Sequence, residues 1–327
     1  MNGPVNAPVT APARPRRRRR GAEQAMVPDA EFTSYYGHPV IKAPVWQAPD
    51  VAGYLFFGGL AGASSVLAAA AHLSGHRELA RAAKVSALGA ISLSAAALVH
   101  DLGRPARFTN MLRVFKPSSP MSVGSWLLAG YGPVAGAAAV SEMTGILSAA
   151  GTAATLGAGL LGPAIATYTA ALICDTAVPS WHAGYREMPY VFVGSAASAA
   201  GGLGLLATAP GAAEPARKLA VLGAGVELVA KRRLISRLAA TPGLESSRGL
   251  AEPYEEGRTG VVLRLAEALT AGGLAGVVLG RRSRALSALS GASLLAASAL
   301  TRFGIFEAGM ASARDPKYTI VPQRHRP

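Results

Sequence analysis

The chain reads as an all-α polytopic membrane protein with eight transmembrane helices, built as two four-helix units. Three observations carry that reading. Only 15% of the 327 residues are charged while half are apolar, against about 25% charged in a soluble domain. Uncharged runs such as Leu55–Ala71 and Thr152–Cys174 approach or exceed the roughly 20 residues that cross bilayer hydrocarbon. A short pattern also recurs. Tyr54-Leu-Phe56-Phe-Gly58 follows Trp46, and Tyr190-Val-Phe192-Val-Gly194 follows Trp181. Two copies of a four-helix unit in the same orientation place these segments equivalently.

Residues 1–44 form a basic arm rich in Pro, Ala and Arg, a composition that favours disorder. Its unbroken run Arg16–Arg20 precedes Gly21, Glu23 and Gln24 rather than an apolar stretch, which argues against a secretory signal. No aromatics interleave with these arginines and no nucleic-acid module surrounds them, so contact with anionic lipid headgroups or control of topology is the expected role. The expected spans of the membrane domain, residues 45–306, are 50–72, 83–100, 122–145, 152–174, 189–209, 215–236, 260–280 and 284–306. The sixth is weakest, because its apolar centre Leu219–Ala230 contains Glu227; a count of seven is the alternative. Residues 307–327 form a C-terminal tail.

The net charge of +14 is uneven. Arg104, Arg107, Arg113, Lys116, Arg248, Arg258 and Arg314 fall on one side of an eight-span chain, and fewer cations fall on the other. That bias predicts cytoplasmic termini, as in a multi-pass protein of the bacterial inner membrane. Cys174 is the one cysteine, which excludes an internal disulfide and clusters held by thiolates of this chain alone. His72 and His76 belong to one face and His100 and His182 to the other, which disfavours a bis-histidine haem. Phosphate-binding and serine-hydrolase signatures are absent.

Polar groups then collect at one end of the helices. Asp50 starts the first helix and Tyr54 lies one turn inside it. His100 and Asp101 close the second, where Gly103 and Pro105 end the helix, and Asp175 closes the fourth. The connection after Asp101 mixes cations, aromatics and apolar groups: Arg104, Arg107, Phe108, Arg113, Phe115, Lys116 and Met121. Such a loop suits docking of another protein. Glu142 and Glu227 are acids within spans, which are costly and face a cavity or a partner. Lys231, four residues after Glu227, makes an intrahelical pair the competing explanation there.

Three segments together resemble the NrfD/PsrC family, the polysulfide-reductase-type membrane subunits of multisubunit oxidoreductases. They are Val45-Trp46…Tyr54-Leu-Phe56-Phe-Gly58-Gly59, Asp101-Leu-Gly103-Arg104-Pro105…Phe108…Met111-Leu112, and Ser119-Pro120-Met121-Ser122. Trp181…Pro189-Tyr190-Val-Phe192 and Ala308-Gly309…Asp315-Pro316 extend the likeness toward the C-terminus. The resemblance implies an eight-helix subunit without haem or metal of its own. It implies electron exchange between quinone, menaquinone or ubiquinone, and a ferredoxin-like iron–sulfur subunit. That subunit in turn serves a molybdopterin-type catalytic subunit. Within this frame Asp50, Tyr54, His100 and Asp101 are the expected quinone and proton-handling residues, with Asp175 as a further one. The family's His or Asn near the start of helix one is replaced here by Gln47 and Asp50. The catalytic subunit's substrate, the direction of electron flow and proton pumping stay open. A secondary transporter and a purely structural anchor are the competing functions.

Overall fold

The computed structural model describes residues 40–103, 110–244 and 248–324. The Arg16–Arg20 run lies outside the described residues, as do Arg104, Arg107 and Phe108 of the expected docking loop.

Eight long helices dominate: α1 Ala48–Leu73, α2 Arg77–Asp101, α3 Pro120–Thr144, α4 Ser148–Cys174, α5 Met188–Ala207, α6 Glu214–Ala239, α7 Gly257–Leu279 and α8 Arg284–Arg314. Seven are long and apolar enough to cross a membrane. The exception by composition is α6, whose Arg217 and Glu227 are turned into the bundle and buried. Its length of 26 residues, about 39 Å, still matches its neighbours.

The two largest differences from the expected spans have one reason. α2 starts at Arg77, because Leu79, Ala80 and Ala83 already pack against Leu67, Ala68 and Ala71 of α1. α8 continues to Arg314, because Ala308, Gly309, Met310 and Ser312 keep an inward face between Glu307 and Arg314. In both places a helical apolar stripe passes between charges that a hydropathy scan treats as a boundary.

The helices form two rings of four. In the first, α1 packs on α2 and α4, and α3 closes the ring by touching both. In the second, α5 packs on α6 and α8, with α7 closing it in the same way. The rings meet through α1 against α5 and α8, and through α4 against α5. Every odd helix starts at one rim, here called proximal, and ends at the distal rim.

Small residues supply the close approaches that helix packing in lipid requires. A β-carbon on Gly62 of α1 would overlap the carbonyl oxygen of Gly162 on α4. Gly202 of α5 stands in the same relation to Gly291 on α8. At the proximal rim the short helix Pro179–Ala183 plugs the seam between the units. Its Trp181 is fully buried, with ring centroids 6.0 Å from Trp46 and 5.6 Å from Phe306. The indole N–H donates to Ile305 O at 2.8 Å. Gly309 leaves the room for that ring.

Candidate functional site

The proximal ends of α1 and α2 bring together residues 50 positions apart in the chain. Gln47 is extended and Pro49 sits in the first turn, so α1 begins abruptly and holds Asp50 where its charge suits the helix N-terminus. Gly103, at φ 67°, donates its N–H to His100 O at 3.0 Å and closes α2. That places His100 at the carbonyl end of α2, where positive charge is favoured. The two chain ends are antiparallel neighbours, and His100 Nδ1 lies 3.0 Å from both Asp50 carboxylate oxygens. Asp50 keeps 16% of its side-chain exposure and His100 keeps 76%. The pair therefore has one fixed member and one that faces outward. Asp101 lies beside it, within electrostatic reach of both Asp50 and His100.

One turn deeper, Tyr54 is buried against the edge of Tyr168 on α4, with ring centroids 6.4 Å apart. Ser94 of α2 donates to the Tyr54 carbonyl at 3.2 Å. The buried Tyr168 hydroxyl has no hydrogen-bond partner among the described residues. Buried polar groups in native proteins are nearly always satisfied, so this oxygen stands out within the first ring. Tyr168 went unnoticed in the sequence, because a tyrosine in a run of Ala, Gly and Thr reads as packing.

The remaining expected residues separate into groups. Asp175 is exposed at the same rim, beyond α4, and makes no hydrogen bond to the Asp50–His100 pair among the described residues. Arg113, Phe115 and Lys116 are exposed on the connection that follows α2 and Met121 in the first turn of α3, and Phe115 packs edge-on against Trp126, with centroids 6.3 Å apart. Glu142 belongs to the opposite, distal rim, where the buried Lys84 ammonium holds it at 2.6 Å. It is a structural ion pair away from the proximal cluster.

Glu227 lies inside the second ring. It accepts from Thr301 Oγ1 at 2.9 Å and from Ser198 Oγ at 3.4 Å. Lys231 turns elsewhere, to Leu263 O at 2.9 Å and Glu267 at 3.9 Å, so the intrahelical pair is not what holds Glu227. The larger charge effect on Glu227 comes from Arg302 of α8, which is fully buried, with Lys231 second. Arg302 donates to Phe192 O at 2.6 Å and lies 3.8 Å above the Phe192 ring. Its Nε and Nη1 have no partner among the described residues. The expected eighth span ended at residue 306, close to Arg302; the longer α8 sets it well inside.

The proximal rim of the second ring is knitted by Arg237 on Glu187, Lys317 on Glu252 at 2.9 Å, and Tyr254 donating to Ser180 O at 3.3 Å. Burial pushes the Tyr254 phenol above its ordinary range, which keeps it a neutral donor. No group of three or more His, Cys, Asp or Glu side chains is placed to hold a metal ion among the described residues.

Residues 40–210, more than half of the chain, match the model of the family described as polysulphide reductase, NrfD. No curated protein matches the chain.

Proposed function

The chain belongs to the NrfD family of polysulphide reductase proteins, an integral membrane subunit of a reductase complex, and from that premise we propose that it carries electrons between a docked iron–sulfur subunit and quinone at the proximal ends of α1 and α2. The observation that carries the proposal is the Asp50–His100 pair, with an outward imidazole near a buried phenol that has no partner among the described residues. When bound, quinone supplies a two-electron, two-proton couple. The residues here suit its needs. Tyr54 and the Tyr168 ring offer an apolar wall, and the Tyr168 hydroxyl can donate to a carbonyl oxygen. Asp50 fixes Nδ1 of His100, which leaves Nε2 as the atom that gives or takes a proton at the rim.

The exposed Arg113, Phe115, Lys116 and Met121 continue directly from this site. They offer the iron–sulfur subunit a mixed cationic and apolar surface, of the kind that anchors protein contacts. Its proximity to the pair would bring the partner's electrons and the rim's protons to one place. The bias of Lys and Arg toward this rim supports a cytoplasmic position for it.

The test uses the complex purified through a tag on this chain. Asp50→Asn and His100→Gln should each lower quinone-linked turnover by about 10²- to 10⁴-fold, the range of a lost general acid–base. The cluster-bearing subunit should still co-purify. Normal assembly with full turnover in both variants would remove the site from consideration. Lys116→Glu with Phe115→Ala should instead release the partner while the membrane subunit stays folded.

A further inference from the structure

The repeat reaches further than the Tyr-x-Phe-x-Gly pattern. The register that sets Tyr54 on Tyr190 also sets Asp50 on Arg186. Gly58 faces Ser94 as Gly194 faces Glu227. The α2-to-α6 register this implies sets the buried Lys84 on the buried Arg217, and His100 on Arg233. The proximal ends of α5 and α6 are therefore the counterpart of the Asp50–His100 site, with an acid–imidazole pair replaced by two arginines.

Those two arginines stand at the mouth of one cavity of about 680 Å³, which Tyr190, Val221, Leu222, Val226 and Val229 continue along α5 and α6. The acid beside them, Glu187, is already taken by Arg237. Arg186 is exposed and leans on Tyr185, and Arg233 is exposed on the adjacent turn of α6. The mouth thus holds excess positive charge. At Leu222 and Val226 the cavity meets a second hollow of about 190 Å³, lined by apolar residues including Val66, Pro163 and Val193. From Arg233 to Leu219 the track runs 14 helical residues, about 21 Å, somewhat more than one leaflet of hydrocarbon at about 15 Å.

We propose that this groove binds an anionic phospholipid, its phosphate between Arg186 and Arg233 and one acyl chain lying along α6 into the apolar hollow. Two guanidinium groups match a phosphate, and basic pockets between spanning helices hold anionic headgroups. A neutral quinone headgroup would leave both charges uncompensated. Tyr190, which is 62% exposed where its counterpart Tyr54 is 4% exposed, stands at the interfacial level between headgroup and tail.

The test is lipid retention by the purified complex. Stripped in neutral detergent, or held in nanodiscs of phosphatidylcholine containing phosphatidylglycerol, the wild-type complex should keep phosphatidylglycerol over phosphatidylcholine in native mass spectra. Arg186→Gln with Arg233→Gln should reduce that retention by at least about tenfold, and Val226→Trp, which fills the tail track, should also lower it. Quinone content and turnover should be unchanged in these variants, so the outcome is independent of the α1–α2 site. Equal retention by wild type and the double variant would overturn the proposal. So would equal retention of phosphatidylcholine, or an arginine-dependent occupant that proves to be quinone.

Discussion

The two rings of helices share a scaffold and differ in what they bury. In the first, Ser94 fills the slot opposite Gly58. In the second, Glu227 stands at that position, with Arg302 nearby and Thr301, Ser198 and the Phe192 carbonyl around them. The rims invert the contrast, with Asp50 and His100 on one unit and Arg186 and Arg233 on the other. What stays alike is what packs: the glycine approaches, the small residues along α1 and α5, and a buried cation near the distal end of α2 and α6. Close helix contact in lipid constrains size at the seams, and polar identity is free to diverge once each buried group finds a partner.

The sharpest way to break this comparison is to remove the charged groups that the second unit buries. Arg302→Ala alone removes one of the two positive charges near the buried Glu227, and should destabilise the protein by about 3–5 kcal/mol. Adding Glu227→Ser removes the stranded acid and should recover part of that loss. A double-mutant cycle on thermal unfolding in detergent reads the coupling. Strict additivity of the two changes would mean that Glu227 and Arg302 do not act as a pair.

A smaller effect is expected where the units differ in shape. Trp181 lies at the seam beside α8 of the second unit, and its ring occupies the space that a β-carbon on Gly309 would need. The ring is held by Trp46, Phe306 and the bond to Ile305 O, so it cannot move aside cheaply. Gly309→Ala should cost about 1–3 kcal/mol, as overpacking does, measured as a lower unfolding temperature. An unchanged unfolding temperature would show that the seam between the units is looser than the packing of Trp181 implies.

These differences also explain what could be read in the sequence. The eight helices and the two units were legible, because uncharged runs and one repeated aromatic pattern report directly on span length and orientation. Asp50 and His100 were legible as ionisable groups at span ends, although only the fold brings them into contact. Tyr168 was not, since nothing local distinguishes a phenol that lacks a partner from one that packs. The depth of Arg302 was not legible, because α8 continues on a buried stripe through Glu307, which a hydropathy boundary cannot follow. Arg186 and Arg233 were hidden in loop and helix-end charge. Carrying the repeat register from Tyr54 and Tyr190 down to the rim was the signal that could have exposed them.

The smallest stability effect is expected at the Asp50–His100 pair, and its smallness is informative. His100 is three-quarters exposed, so solvent screens the pair, and ion pairs of that kind contribute about 0–1 kcal/mol. Asp50→Asn retains a polar group at the start of α1 and should shift the unfolding free energy by less than about 1 kcal/mol. The same change should abolish most quinone-linked turnover. A group whose removal leaves the fold intact but stops proton exchange is placed for chemistry. The Glu227–Arg302 pair should behave in the opposite way, with stability lost first. If Asp50→Asn unfolds the protein as readily as Arg302→Ala does, the rim pair is an element of the scaffold, and the division between a working rim and a packed interior fails.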